Sequence, residues 1–96
     1  FSKHHKINQN KLYNVIKNGA AGSWQFTNRY MTLINNKFNF GFSTELMEKD
    51  LRYVLKQSKN SKINLKLTKE VHQKYKKLIN TKYRIQDTSS LVKTFI

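Results

Sequence analysis

Apolar residues recur at three- and four-residue steps along most of this sequence, which is the spacing that predicts amphipathic helices. A first helix is predicted from about Asn10 to Lys17 and ends at Asn18-Gly19, since glycine commonly follows a last helical turn. A second helix of about thirteen residues begins at Trp24, which we expect in the core. The apolar face of this helix comprises Phe26, Tyr30, Met31, Leu33, Ile34 and Phe38.

The same spacing predicts three further helices in the second half of the chain. Small polar residues that cap helix N-termini precede each of them: Ser43 or Thr44, then Thr68, and last Asp87, Thr88 or Ser89. The predicted apolar stripes are Leu46 or Met47, Leu51, Val54 and Leu55 in the third helix, Val71, Tyr75, Leu78 and Ile79 in the fourth, and Leu91, Val92, Phe95 and Ile96 in the last.

These elements predict an all-α fold of about four to five short helices. A glycine turn separates the first two helices, and a basic loop precedes the fourth. Neither an internal repeat nor a proline or Gly/Ser linker divides the chain. Residues 1–96 are therefore interpreted as a single helical domain.

The charge of the chain is strongly positive. Nineteen Lys and Arg face five acids, which gives a formal net charge of +14 at pH 7. Such an excess repels itself unless a partner supplies negative charge, so we expect a polyanionic partner. Cysteine is absent, which excludes disulfides and thiolate metal sites. No apolar run approaches the roughly 18 residues of a membrane span, so no membrane partner is expected.

The positive charge concentrates in the N-terminal tail, at the glycine turn and between Lys56 and Lys66. The glycines of the turn allow close approach of a phosphate, and the helix that follows offers unpaired N–H groups. The lysine-rich stretch lacks an apolar period and is interpreted as a basic loop. The residues predicted to bind RNA phosphates are Lys11, Lys17, Asn18, Gly19, Gly22, Ser23, Arg29, Lys56, Lys59, Lys62 and Lys66.

Candidates for catalysis are few. Glu45 and Glu48 lie in the first turns of a predicted helix, where acids stabilise the helix dipole. His4 and His5 lie in the basic tail, and His72 stands alone on the fourth helix. We therefore predict no catalytic residue, no metal site and no cofactor, and interpret the chain as a protein that is not an enzyme.

Several segments, taken in order, resemble the family of small-subunit ribosomal protein thirteen. They are Leu12 to Ile16, Gly19 to Ser23, the helix through Tyr30 and Met31, Leu67 to Val71, Tyr83-Arg84-Ile85, Asp87 and Leu91-Val92. In that family a short helix enters a glycine-containing turn, and a leucine-threonine-acid-acid segment opens a later helix. Here Lys69 replaces one acid, and about residues 38–64 are predicted as an insertion relative to the family.

The resemblance implies a structural constituent of the head of the small ribosomal subunit. Its partners would be ribosomal RNA and neighbouring small-subunit ribosomal proteins, with tRNA only if a basic tail follows Ile96. Lys, Asn and Ile are abundant whereas Gly, Ala and Pro are scarce, which is typical of an A/T-rich genome. The predicted location is therefore the mitochondrial ribosome, with a plastid or the cytoplasm of an A/T-rich organism as alternatives.

Two other functions stay open at this point. Short helices joined by tight turns also occur in helix–turn–helix proteins, which indicates sequence-tolerant DNA binding as one alternative. The amphipathic second helix allows a secreted cationic protein that acts on acidic glycans or membranes.

Overall fold

The computed structural model describes residues 1–95, and all of their regular elements are helical. The elements are α1 (Gln9–Lys17), α2 (Trp24–Ile34), α3 (Thr44–Asn60), α4 (Lys66–Leu78) and the 3₁₀ helices Lys82–Ile85 and Thr88–Thr94. The predicted all-α class, with a glycine turn before α2 and a basic loop before α4, is confirmed. Ile96, predicted on the apolar face of the last helix, lies outside the described residues.

The chain forms two compact units, Phe1–Lys37 and Phe38–Ile96. The interpretation of residues 1–96 as a single helical domain stays a prediction. In the first unit α1 packs against α2 through stacked aromatic rings. The ring centroid of Phe26 lies 5.9 Å from that of Tyr13 and 4.8 Å from that of Tyr30. The Tyr30 hydroxyl donates a hydrogen bond to Gln9 Oε1 at 2.6 Å. No residue of this unit is fully buried.

Local hydrogen bonds explain where the first two helices begin and end. The Gly19 N–H closes the C-terminus of α1 by donating to the Ile16 carbonyl at 3.1 Å, at the Asn18-Gly19 stop that the sequence predicts. Ser23 caps α2 by accepting from the Phe26 N–H at 2.9 Å, also as predicted. The prediction of a buried Trp24 is wrong, because its side chain is 66% exposed on the first turn of α2.

The second unit contains the buried residues of the described chain. Its buried apolar side chains are Phe38, Tyr75 and Leu78. Phe38 lies beyond the end of α2, whereas the spacing predicts it on that helix. Polar residues outnumber apolar ones in this interior: Thr44, Glu48, His72, Asp87, Thr88 and Ser90 are also buried. The predicted stripe of α3 is wrong at Val54, which is exposed; of the alternatives Leu46 and Met47, Leu46 is exposed and Met47 is half-buried.

Backbone pairing joins the first and last segments of the second unit. Ser43 and Asp87 form a single antiparallel β-bridge, and the Thr44 N–H donates to the Gln86 carbonyl at 2.8 Å. The Thr88 N–H donates to the Phe42 carbonyl at 2.8 Å. The Asp87 carboxylate caps the last 3₁₀ helix by accepting from the Ser89 N–H at 2.9 Å, as predicted. We call this arrangement the clasp, defined by residues 38–44 and 86–88.

The basic loop is shorter than predicted, because α3 continues to Asn60 and places Lys56 and Lys59 on its last turns. Lys62 lies in the connection, with φ at +56°. Helix α4 begins at Lys66, two residues before the predicted cap Thr68, which lies within the helix. Five residues, 61–65, therefore connect the two longest helices.

Candidate anion-binding cleft

A carboxylate–imidazole pair joins α3 to α4 in the interior of the second unit. Nε2 of His72 donates to Glu48 Oε1 at 2.8 Å, since a carboxylate can only accept. Arg52, one turn after Glu48, places its Nε 3.4 Å from the same oxygen. Glu48 and His72 are each 8% exposed. Burial requires such a charge to be paired, and here two groups pair it.

An open cleft of about 550 Å³ lies beside this pair. Its walls are the second half of α3, the 61–65 connection and the first turns of α4. The cations that line it are Arg52, Lys56, Lys59, Lys62 and Lys69. Leu55, Ile63 and Leu65 provide the apolar part of the lining, and no acid contributes to it. We call this the basic cleft.

The charge of the basic cleft is largely uncompensated. Arg52 contacts Glu48, but none of the four lining lysines forms an ion pair within residues 1–95. The spacing of Arg52, Lys56 and Lys59 places them on one face of α3, because residues three and four apart are neighbours on a helix. Like charges so close raise the local potential and attract anions.

The N-terminus of α4 contributes further positive potential at the cleft. Leu65 occupies the N-cap position and provides no side-chain hydrogen bond, so the first N–H groups of α4 lack a side-chain cap. His72 lines the cleft as well, and its ring is oriented by the bond from Nε2 to Glu48. A ligand anion in the cleft therefore meets uncapped backbone N–H groups of α4 in addition to lysines.

The predicted phosphate-binding residues divide between the two units. Lys56, Lys59 and Lys62 line the basic cleft, whereas Lys66 starts α4 and is not part of its lining. The others lie in the first unit, on α1, on α2 or at the glycine turn: Lys11, Lys17, Asn18, Gly19, Gly22, Ser23 and Arg29. Phosphate contact by these residues stays a prediction.

The glycine turn has a structural reason for one of its glycines. A Cβ on Gly22 would lie 2.5 Å from the Lys17 carbonyl oxygen, so the chain's own backbone fills this space. A Cβ on Gly19 would meet only ordinary contacts at 3.7 Å. The Ser23 hydroxyl is engaged with the Phe26 N–H, and the Lys17 ammonium lies over the Tyr13 ring at 4.8 Å. These contacts account for the turn without a ligand.

Sequence reasoning missed three members of the cleft, namely Arg52, Lys69 and His72. Arg52, Lys56 and Lys59 lie four and three residues apart, which places them on one face of a helix. This spacing identifies them as neighbours only if α3 is predicted to extend beyond Lys56. Lys69 and His72 lie three residues apart on α4, so their spacing likewise places them on one face of that helix.

Within the described part of the chain, no group of three His, Cys, Asp or Glu side chains could hold a metal ion. Over the same part, every helix is too short or too polar to cross a membrane.

The sequence profile of one protein family matches residues 1–95, and its description is the NAD-binding part of NADP-dependent 3-hydroxyisobutyrate dehydrogenase. The chain belongs to this family. An uncharacterized oxidoreductase from Shewanella frigidimarina is 36% identical over 92 residues, which cover 96% of this chain and 32% of that protein. An L-threonate dehydrogenase from Cupriavidus necator is 28% identical over 89 residues, covering 93% of this chain and 30% of that enzyme.

The fold also has a counterpart in a crystal structure of a 3-hydroxyisobutyrate dehydrogenase from Salmonella typhimurium. The two superpose with a TM-score of 0.84 at 23% sequence identity, over 96% of this chain and 32% of the other. The likeness shows that the helical arrangement is shared. The chain spans about a third of the length of the relatives that it matches.

The family match overturns the ribosomal interpretation. The resemblance to ribosomal protein thirteen is wrong, and so are the predictions of a structural role in the ribosome and of ribosomal RNA, ribosomal proteins or tRNA as partners. The expectation of a protein that is not an enzyme is wrong as well, because the family is one of dehydrogenases. DNA binding and action on glycans or membranes gain no support. The insertion predicted at about residues 38–64 was defined relative to the ribosomal family and stays a prediction.

The predicted mitochondrial or other A/T-rich source stays a prediction. The sequence predicted no cofactor, whereas the family's description includes a nicotinamide dinucleotide. The described residues are therefore compared with what such a cofactor requires.

The described residues do not fit a dinucleotide by themselves. Dinucleotide-binding folds place the pyrophosphate at a glycine-rich turn between a β-strand and a helix. Residues 1–95 contain no strand, and the three glycines of the chain do not form the GxGxxG pattern. The space beside Gly22 is filled by the Lys17 carbonyl. No step of a hydride transfer is therefore assigned to residues of this chain.

Proposed function

We propose that this chain is the helical portion of an NAD- or NADP-dependent dehydrogenase that oxidises a small hydroxy acid. The single observation that carries the proposal is the family match over residues 1–95. Relatives named as an oxidoreductase and as L-threonate dehydrogenases support it. Each of the three is about three times as long as the matched region, so we assign the dinucleotide fold to residues outside this chain.

The charge of the chain suits this role. Hydroxy-acid substrates are carboxylates and dinucleotides carry a pyrophosphate, so both are anions. A net charge of +14 raises their local concentration and their rate of encounter with the protein. In this proposal the anionic partners of the positively charged chain are small metabolites and not a polyanion.

Turnover by the gene product that contains this chain tests the proposal. The purified protein is mixed with NAD or NADP and either L-threonate or 3-hydroxyisobutyrate, and formation of reduced nicotinamide is followed by absorbance. We expect reduction with at least one pair, and none when residues 1–96 are assayed alone. The L-threonate dehydrogenase of Cupriavidus necator serves as the positive control. The proposal is wrong if that control turns over while the gene product reduces neither dinucleotide with any hydroxy acid of a wider panel.

A further inference from the structure

We propose that the basic cleft binds a nucleoside di- or triphosphate, in addition to the dinucleotide whose fold we assign to residues outside this chain. The cleft lies wholly within the second unit and measures about 550 Å³. This volume falls in the range of small-molecule pockets, about 300–1,000 Å³. It suits a ligand of nucleotide size that enters between α3 and α4.

The charges of the cleft select a multiply charged anion. Five cations line it and no acid does, whereas a carboxylate substrate brings a single negative charge. The four lining lysines have no ion-pair partner in residues 1–95, so a ligand does not have to displace one. A diphosphate or triphosphate accepts hydrogen bonds from several ammonium groups at once, and charge-assisted bonds of this kind are the stronger ones.

The rest of the lining argues for a base attached to the phosphates. Leu55, Ile63 and Leu65 present apolar surface in the same cleft, and the Ile63 residue is 60% exposed. Inorganic pyrophosphate would leave this surface in water. A nucleobase would cover it, and the removal of apolar area from water favours binding.

One end of the cleft provides donors that the fold itself does not use. The α4 N-terminus beside Leu65 lacks a side-chain cap, so its first backbone N–H groups are complementary to phosphate oxygens. At the floor of the cleft His72 is 8% exposed, and its Nε2 bond to Glu48 sets the orientation of the imidazole before a ligand arrives.

Calorimetric titration of the 96-residue chain with ADP and ATP tests the proposal. We expect saturable binding of both that weakens as salt is raised, because the contacts are ionic. The triple variant K56A/K59A/K69A removes three cleft charges at helical positions where alanine is well tolerated. It is expected to bind ADP at least about tenfold more weakly. The assay does not depend on dehydrogenase activity.

The matched control is the triple variant K76A/K77A/K82A. It removes the same charge from exposed helical positions that do not line the cleft, and ADP affinity is expected to change less than about twofold. Far-UV circular dichroism verifies that both variants keep the helical content of the parent chain. Equal weakening in the two variants would mean that bulk charge alone attracts the nucleotide and would overturn the proposal. Pyrophosphate binding as tightly as ADP, or no binding of ADP at low salt, would overturn it as well.

Discussion

The two units of the chain are stabilised in different ways. The first unit has no fully buried residue, and its helices meet through a stack of three partly exposed aromatic rings. Residues 38–95 of the second unit include nine buried residues, six of them polar and hydrogen-bonded across elements. A segment of fewer than about 40 residues rarely buries enough surface to be stable alone. We therefore expect changes in the interior of the second unit to cost the most stability.

The largest effect is expected from H72L. Leucine removes the hydrogen bond to Glu48 and leaves a buried carboxylate with Arg52 as its remaining partner. An unsatisfied buried polar group costs about 2–3 kcal/mol, so we expect the free energy of unfolding to fall by that amount. Urea denaturation followed by circular dichroism measures it.

The control for this change is H4L, because His4 is exposed in the N-terminal tail of the first unit. It is expected to alter the free energy of unfolding by less than about 0.5 kcal/mol. Equal losses in both variants would show that the buried pair does not distinguish the two units.

A smaller effect is expected from G22A in the first unit. The new Cβ would lie 2.5 Å from the Lys17 carbonyl oxygen, which is backbone and cannot move aside without shifting the turn. Overpacking of this kind costs about 1–3 kcal/mol. We expect faster amide hydrogen exchange in α1 and α2, with little change in α3 and α4.

The matched control is G19A, where the nearest atoms lie at 3.7 Å. Alanine there meets ordinary contacts, so exchange in α1 and α2 should stay close to that of the parent chain. Similar acceleration by both substitutions would mean that the clash at Gly22 is not what restricts the turn.

The paired variants Y75F and Y30F compare one hydroxyl in each unit. The buried Tyr75 hydroxyl donates to the Thr88 carbonyl at 3.1 Å, and its loss leaves that carbonyl with one partner fewer in the interior. We expect Y75F to cost about 1 kcal/mol of unfolding free energy. Y30F should cost less than half as much, since water can replace the bond to Gln9 in a partly exposed site. Thermal denaturation of both variants decides this, and a larger loss in Y30F would contradict the comparison.

The smallest effect is a pH dependence. Burial raises the pKa of the Tyr75 phenol above its ordinary value of 10.0, opposed by the Thr88 side chain and reinforced by the Asp87 charge. The unfolded chain therefore releases this proton at lower pH than the folded chain does. Stability from this group is present below about pH 10 and declines as pH rises above it. The Y75F variant should show a shallower decline in unfolding free energy, and an identical slope would exclude Tyr75 as its source.

Local chemistry predicted the helix ends that depend on one side chain. Ser23 and Asp87 each make the backbone contact that their residue type predicts, and the Gly19 N–H closes α1 at the predicted Asn18-Gly19 stop. Thr68 was misplaced because α4 starts at Lys66 without a side-chain cap, which a search for caps cannot detect. The end of α3 was missed because lysine-rich turns lack an apolar period even when they are helical.

The function could not be predicted from composition because positive charge has many anionic partners. Lysine density indicates attraction to phosphates and carboxylates without distinguishing RNA from metabolites. The motif that identifies a dinucleotide enzyme is a strand and a glycine-rich turn, and neither occurs in residues 1–95. The basic cleft was partly predicted through Lys56, Lys59 and Lys62, whereas Arg52, Lys69 and His72 join it only when α3 and α4 pack together.

The clasp has a consequence for how the second unit folds. Its hydrogen bonds join Phe42 to Thr88 and Thr44 to Gln86, so the helices α3 and α4 lie inside a closed chain loop. Closing a long loop costs conformational entropy that is recovered only when the non-local contacts form. The two ends of the loop must therefore meet late and together, which makes opening cooperative. Loss of the last 3₁₀ helix would release the start of α3 at the same moment, so the unit is expected to open as a whole and not to fray from its end.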